Sequence, residues 1–91
     1  MFRRKTPSLP TPQIYFPGDD YLHFDVTTKH FNLLAQQQLK QMKKKVTKKF
    51  EGIEDISLGL NFMMIRYNSL LLSPIKLARY LRKHWQLDQS S

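Results

Sequence analysis

Ninety-one residues are enough for one small domain. The chain has no cysteine, which excludes disulfides, a thiol nucleophile and thiolate metal ligands and fits a reducing cytoplasm. The formal charge is +8, and six of the fifteen basic residues fall between Lys40 and Lys49. That balance favours anionic partners such as nucleic acid, acidic lipid or an acidic protein. No apolar run approaches the roughly 20 residues that span a bilayer.

Residues 1–12 are basic and hold three of the five prolines. They lack the apolar stretch of a secretory signal and are expected to form a flexible arm. A single α+β domain is expected over residues 13–86, with a polar tail at 87–91. Ile14 to Phe16 suit a short strand. Pro17-Gly18-Asp19-Asp20 is a turn by composition. Tyr21 to Val26 alternate, with Leu22, Phe24 and Val26 on one face and Tyr21, His23 and Asp25 on the other, the pattern of a half-buried strand.

Thr27 or Thr28 can cap a long helix. Phe31, Ala35, Leu39, Met42, Val46 and Phe50 fall within about 100° of one another at the helical period. Gly52 stops the helix, which would run about 23 residues, or roughly 34 Å. Ile56, Leu58 and Leu60 alternate in the next strand, and Asn61 marks a turn without the Asn-Gly signature of a tight hairpin. Phe62 to Tyr67 are apolar on both faces, as in a central strand. Ser73 and Pro74 start a second helix with Ser at the cap and Pro at the first turn. Leu77, Ala78, Leu81 and Trp85 form its buried face.

The order β-α-β-β-α predicts a ferredoxin-like sandwich, an antiparallel sheet with two helices on one face, lacking the usual last strand. Either Ile14 to Phe16 fill that place or a sheet edge stays open, and an open edge invites a partner or a homodimer. Phe24, Leu39, Met42, Val46, Ile56, Leu58, Ile65, Leu77, Leu81 and Trp85 are the expected core.

Several side chains invite a functional reading. Lys40, Lys43, Lys44 and Lys48 spread over about 140° of the first helix. They serve either as a solvated face or as an anion-binding surface. Lys76, Arg79, Arg82 and Lys83 form a basic stripe opposite Leu77, Leu81 and Trp85. No aromatic interleaves that stripe as single-strand nucleic-acid binders require. Asp19, Asp20, His23 and Asp25 cluster near one turn, with His23 and Asp25 on the same strand face. A metal or acid–base site is conceivable there, but Asp is also an ordinary turn residue. His30 and His84 have no evident partner. No phosphate-binding loop, nucleophile elbow or zinc-protease motif is present, so no catalytic residue, cofactor site or metal site is assigned.

The run Pro17-Gly18-Asp19-Asp20-Tyr21-Leu22-His23-Phe24 resembles the Gly-Asp opening of the allophanate hydrolase subunit 1 (Kip-type) family. Gly52-Ile53-Glu54-Asp55-Ile56 and Met63-Met64-Ile65-Arg66-Tyr67 resemble its glycine-led segment and the apolar strand that ends at Tyr. Ser73-Pro74 with Leu77, Leu81 and Arg82 resembles the helix that follows. The likeness covers about residues 17–84, and Gly18, Asp19, Gly52 and Tyr67 are its motif positions. The family includes a sporulation-kinase inhibitor and a subunit of bacterial 5-oxoprolinase, and it is similar to half of the carboxyltransferase region of urea carboxylase. The resemblance therefore implies a protein-interaction module acting through a subunit 2-like protein or a histidine kinase. Its alternative is a piece of a 5-oxoprolinase or carboxyltransferase-type complex. A basic nucleic-acid-binding domain is a further alternative, from the charge alone.

The sequence departs from the family pattern in three ways. The cyclophilin-like β domain that usually follows is absent. Asn68 stands where Asp is common. Leu58-Gly59-Leu60-Asn61-Phe62 replaces a more polar junction. The first departure implies that activity of the family cannot be placed on this chain alone.

Overall fold

A computed structural model describes residues 11–26 and 33–90, with side chains through Trp85. The proposed caps Thr27 and Thr28, along with His30, Phe31 and most of the N-terminal arm, lie outside the described residues. The elements are β1 (Gln13–Tyr15), β2 (Tyr21–Asp25), α1 (Leu33–Lys49), β3 (Ile53–Leu58), β4 (Phe62–Tyr67) and α2 (Pro74–Ser90). α2 continues into the segment expected to be a polar tail. Its start is as the sequence suggests: the Ser73 hydroxyl accepts from Lys76 N–H at 3.4 Å.

The sheet is fully antiparallel, in the order β1-β2-β4-β3. This is the ferredoxin-like α+β arrangement. β1, contributed from before the first helix, occupies the place beside β2 that a strand after α2 would normally take. Gln13, Ile14 and Tyr15 pair with Asp25, Phe24 and His23. β4 is central, which is why both of its faces are apolar.

Period-two alternation divides the sheet into two surfaces. Leu22, Phe24, Val26, Ile56, Met63, Ile65 and Tyr67 turn inward and are buried. They meet Ala35, Leu39, Met42 and Val46 of α1 and Leu77, Ala78, Leu81 and Trp85 of α2 in one core. Trp85 packs edge-on against Phe24, with ring centroids 5.2 Å apart, so α2 lies over β2. α1 lies over β3 and β4.

A bulge in β3 makes one part of this core possible. Ile53 and Ile56 are three residues apart, a spacing that would put them on opposite faces of a regular strand. The register shifts between Ile53 and Asp55, so Ile53 pairs with Tyr67 while Asp55 pairs with Arg66. Ile53 and Ile56 therefore both face inward, and Glu54 and Asp55 both stay exposed.

Leu58 corrects the sequence-based expectation of a buried residue. It pairs with buried Met63 and so faces the correct side. It is nevertheless 36% exposed, and Leu60 is more so. β3 is an edge strand, and its end runs past the cover of α1. Leu58, Gly59 and Leu60 line an open groove there with Gln36, Leu39 and Lys40. The turn is tight all the same. Gly59 N–H donates to Phe62 O at 2.9 Å, leaving Leu60 and Asn61 as a two-residue connection.

Candidate partner interface

The motif residues gather at one end of the sheet, around Tyr67. Tyr67 N–H donates to Asp20 O at 2.9 Å, tying the Gly18–Asp20 turn to the end of β4. On the other side Asn68 N–H donates to Gly52 O at 2.8 Å. Gly18 and Gly52 have φ of 90° and 100°, the left-handed region in which glycine is favoured. Gly52 also sits against the loop after β4: a Cβ there would lie 3.0 Å from Leu71 Cβ. Asn68 Oδ1 accepts from Leu70 N–H at 2.9 Å, a bond a carboxylate oxygen could equally accept. Burial pushes the Tyr67 phenol up from its ordinary value, and the nearby Asp20 and Asp19 carboxylates push it the same way. These residues build the fold's end. None is arranged as a nucleophile with a base.

The outer sheet surface is different. Among the described residues, no element packs on it. The register places Tyr15 beside His23 and His23 beside Met64. Tyr15 meets His23 edge-on at 6.1 Å, and His23 stacks on Phe62 at 4.9 Å. The Phe62 ring also lies over the bare backbone of Gly59, where a Cβ would come within 2.2 Å of the ring. The Tyr15 hydroxyl donates to Gln13 Oε1. Tyr21 and Met64 extend this apolar platform. Its charges are largely acidic. His23 Nε2 lies 3.9 Å from Asp25 Oδ2. Arg66 Nε donates to Glu54 Oε1 at 3.2 Å, and that bond, with the Glu54 charge, raises the guanidinium above its ordinary value. Asp55 stands beside Arg66.

The basic residues singled out from sequence all lie on the helical layer. Lys40, Lys43, Lys44 and Lys48 are exposed on α1, and Lys76, Arg79, Arg82 and Lys83 on α2. The structure does not bring them together with the aromatic platform, which occupies the opposite surface. His23 and Asp25 do come together as expected. Among the described residues, no three His, Asp or Glu side chains gather in a way that could hold a metal. His84 is not solitary: its ring lies 4.0 Å from that of Tyr80, which in turn packs on Phe50. The i to i+4 spacing of Tyr80 and His84 was the available signal. The platform itself was missed. Tyr15, His23 and Phe62 come from three strands, and only the register makes them neighbours.

These features define a two-layer α+β domain, a four-stranded antiparallel sheet with two helices on one face. Residues 12–91 match the family model described as "Carboxyltransferase domain, subdomain C and D", and the chain belongs to that family. This is the region found in allophanate hydrolase subunit 1 and in the related component of 5-oxoprolinase, in agreement with the family resemblance. No curated protein and no solved structure matches the chain. No helix among the described residues is long and apolar enough to cross a membrane.

Proposed function

We propose that this chain is a non-catalytic interaction module of a carboxyltransferase-type assembly and that its outer sheet surface seats a partner subunit. The observation that carries this reading is the Tyr15–His23–Phe62 platform, one edge contact and one stack, on a sheet surface that no element among the described residues covers. Aromatic residues held rigidly by their neighbours give large contact area at little entropic cost. The acidic flank of Asp25, Glu54 and Asp55 selects a partner whose apolar patch is rimmed by basic residues. A subunit 2-like protein is the partner the family membership favours, and a histidine kinase is the alternative. A place in a 5-oxoprolinase complex is the corresponding enzymatic reading, with the chemistry on the partner.

Titration with a subunit 2-like protein tests the reading. Tyr21→Lys or Met64→Lys should abolish the complex, whereas Lys43→Glu with Lys44→Glu should leave it intact. The opposite pattern would refute the sheet surface as the seat. The chain alone is expected to turn over neither allophanate nor 5-oxoproline, and turnover by the pure chain would refute the non-catalytic assignment. Nucleic-acid binding is disfavoured because the Tyr15, His23 and Phe62 rings lie on the surface opposite the helical cations, whereas single-strand binding needs successive rings and cations along one path. Affinity for an oligonucleotide falling steeply with salt would restore that reading.

A further inference from the structure

The corner between β1 and α2 is a second surface, and it does not depend on the platform. A groove of about 620 Å³ runs there, lined on the sheet side by Pro12 and Phe16 and on the helix side by Ile75, Arg79, Arg82 and Lys83. The helical residues fall on one stripe at i, i+4, i+7 and i+8. Phe16 is 46% exposed and Ile75 66%. The groove therefore has an apolar part and a row of three cations.

The backbone beside it has no strand partner among the described residues. Val26 N–H donates to Asn61 O at 2.8 Å, and Tyr67 N–H donates to Asp20 O at 2.9 Å. Even-numbered residues of β2 thus bond toward β4, and Tyr21, His23 and Asp25 turn their backbone groups toward β1. Through the pairs Gln13–Asp25 and Tyr15–His23, β1 directs Gln13 and Tyr15 inward and Ile14 outward. The N–H and C=O of Ile14 face the edge of the sheet, next to the groove.

The geometry points to strand addition at β1 by an extended acidic segment of a partner protein. Such a segment would pair with Ile14 through its backbone. Every second side chain would turn toward α2, where a carboxylate meets Arg79, Arg82 or Lys83 and an apolar residue meets Phe16 and Ile75. Charge decides against a second copy of this chain as the occupant. A twofold pairing of two β1 edges would bring two of these cationic stripes into one interface. The far edge of the sheet is also a poor template, because β3 carries the bulge together with Glu54 and Asp55.

The test uses the full chain and a dye-labelled peptide, Thr-Val-Thr-Glu-Thr-Glu-Thr, whose Val and Glu residues share one face. A counterpart with Gln for Glu is the control. The acidic probe should bind at least about tenfold tighter than the control, and Arg79→Glu with Arg82→Glu should weaken it by at least about tenfold. Lys43→Glu with Lys44→Glu should change it by less than about threefold at fixed salt. Exchange of the Ile14 amide should slow on binding, which charge attraction alone would not cause. Equal weakening by the α1 and α2 reversals would overturn the proposal, as would unchanged Ile14 exchange in the saturated complex. A concentration-dependent dimer of the chain alone, with Ile14 already protected, would overturn it in favour of self-pairing. Loss of the partner complex through Tyr21→Lys leaves this result unaffected, so the two surfaces stand or fall separately.

Discussion

Leu39 and Leu58 both lie on the inner side of the sandwich, yet truncating them should have very different costs. Leu39 is 1% exposed and sits among the side chains of one continuous core. Leu39→Ala removes three carbons' worth of burial, at about 0.8 kcal/mol each, or roughly 2.4 kcal/mol. The void left in a close-packed interior adds to this, for a loss of about 2–5 kcal/mol. Leu58 borders an open groove at the end of an edge strand. Water fills the space vacated by Leu58→Ala, so only part of the transfer free energy is lost, about 1 kcal/mol. A domain of this size has a total stability of about 5–14 kcal/mol. Urea titration followed by tryptophan fluorescence measures both, because Trp85 lies in the same core. With a slope near 1–1.5 kcal/mol/M, Leu39→Ala should lower the midpoint by about 1.3–5 M and Leu58→Ala by no more than about 1 M. Equal losses, or a greater loss at Leu58, would refute the assignment of α1 as the cover of the core and of the β3 end as open.

Three further outcomes are expected. Gly52→Ala should destabilise more than Gly18→Ala in the same titration, since both incur left-handed strain of about 1–2 kcal/mol but only Gly52 also meets Leu71 and Leu72. The neutral Tyr67 phenol is favoured by burial, so its raised value contributes stability that is complete below the ordinary value of 10.0 and declines as pH rises above it. Tyr67→Phe should flatten that alkaline decline relative to the parent. A chain starting at Pro17 lacks β1 and uncovers the backbone of β2, so the His23 and Asp25 amides should exchange faster in it than in the full chain. Equal exchange in the two chains would refute β1 as the cover of that edge.

Where a regular period held, the sequence was enough. Leu22, Phe24 and Val26 alternate, and all three are buried. Ala35, Leu39, Met42 and Val46 recur at helical spacing, and all four are buried too. Ile53 was not legible as a core-facing residue because the bulge breaks the period between it and Ile56. Leu58 was given the right face but the wrong burial. Facing is local, whereas cover depends on where the strand sits in the sheet and how far α1 reaches. The candidate surfaces were legible only in pieces. The basic stripes could be drawn on helices from spacing alone. That they lie across the molecule from the Tyr15, His23 and Phe62 rings could not be drawn without the strand order. Phe16 and Ile75 come from opposite ends of the chain, and only the placement of β1 beside β2, within reach of α2, makes them neighbours.

That placement ties the fold to its proposed role. If a strand after α2 completed the sheet, α2 would end in a connection back to the β2 edge. Here that edge is closed from the other side of the fold, by the three-residue strand β1 set between Pro12 and Pro17. Proline lacks an N–H, so these two residues confine pairing to a short stretch centred on Ile14. A short edge is poor for indiscriminate sheet growth, and it adds little affinity through backbone bonds alone. Specific strand addition there needs side-chain energy, and the neighbouring Arg79, Arg82, Lys83 and Ile75 are placed to provide it. The outer platform has the converse character: it offers rigid rings and no free edge, which suits a folded surface rather than a strand. Two surfaces of different chemistry, one acidic and aromatic and the other cationic and edge-like, allow one small domain to hold a folded partner and an extended acidic segment at once. If both segments belong to the same partner, joining them would raise affinity beyond either contact alone without any new interaction.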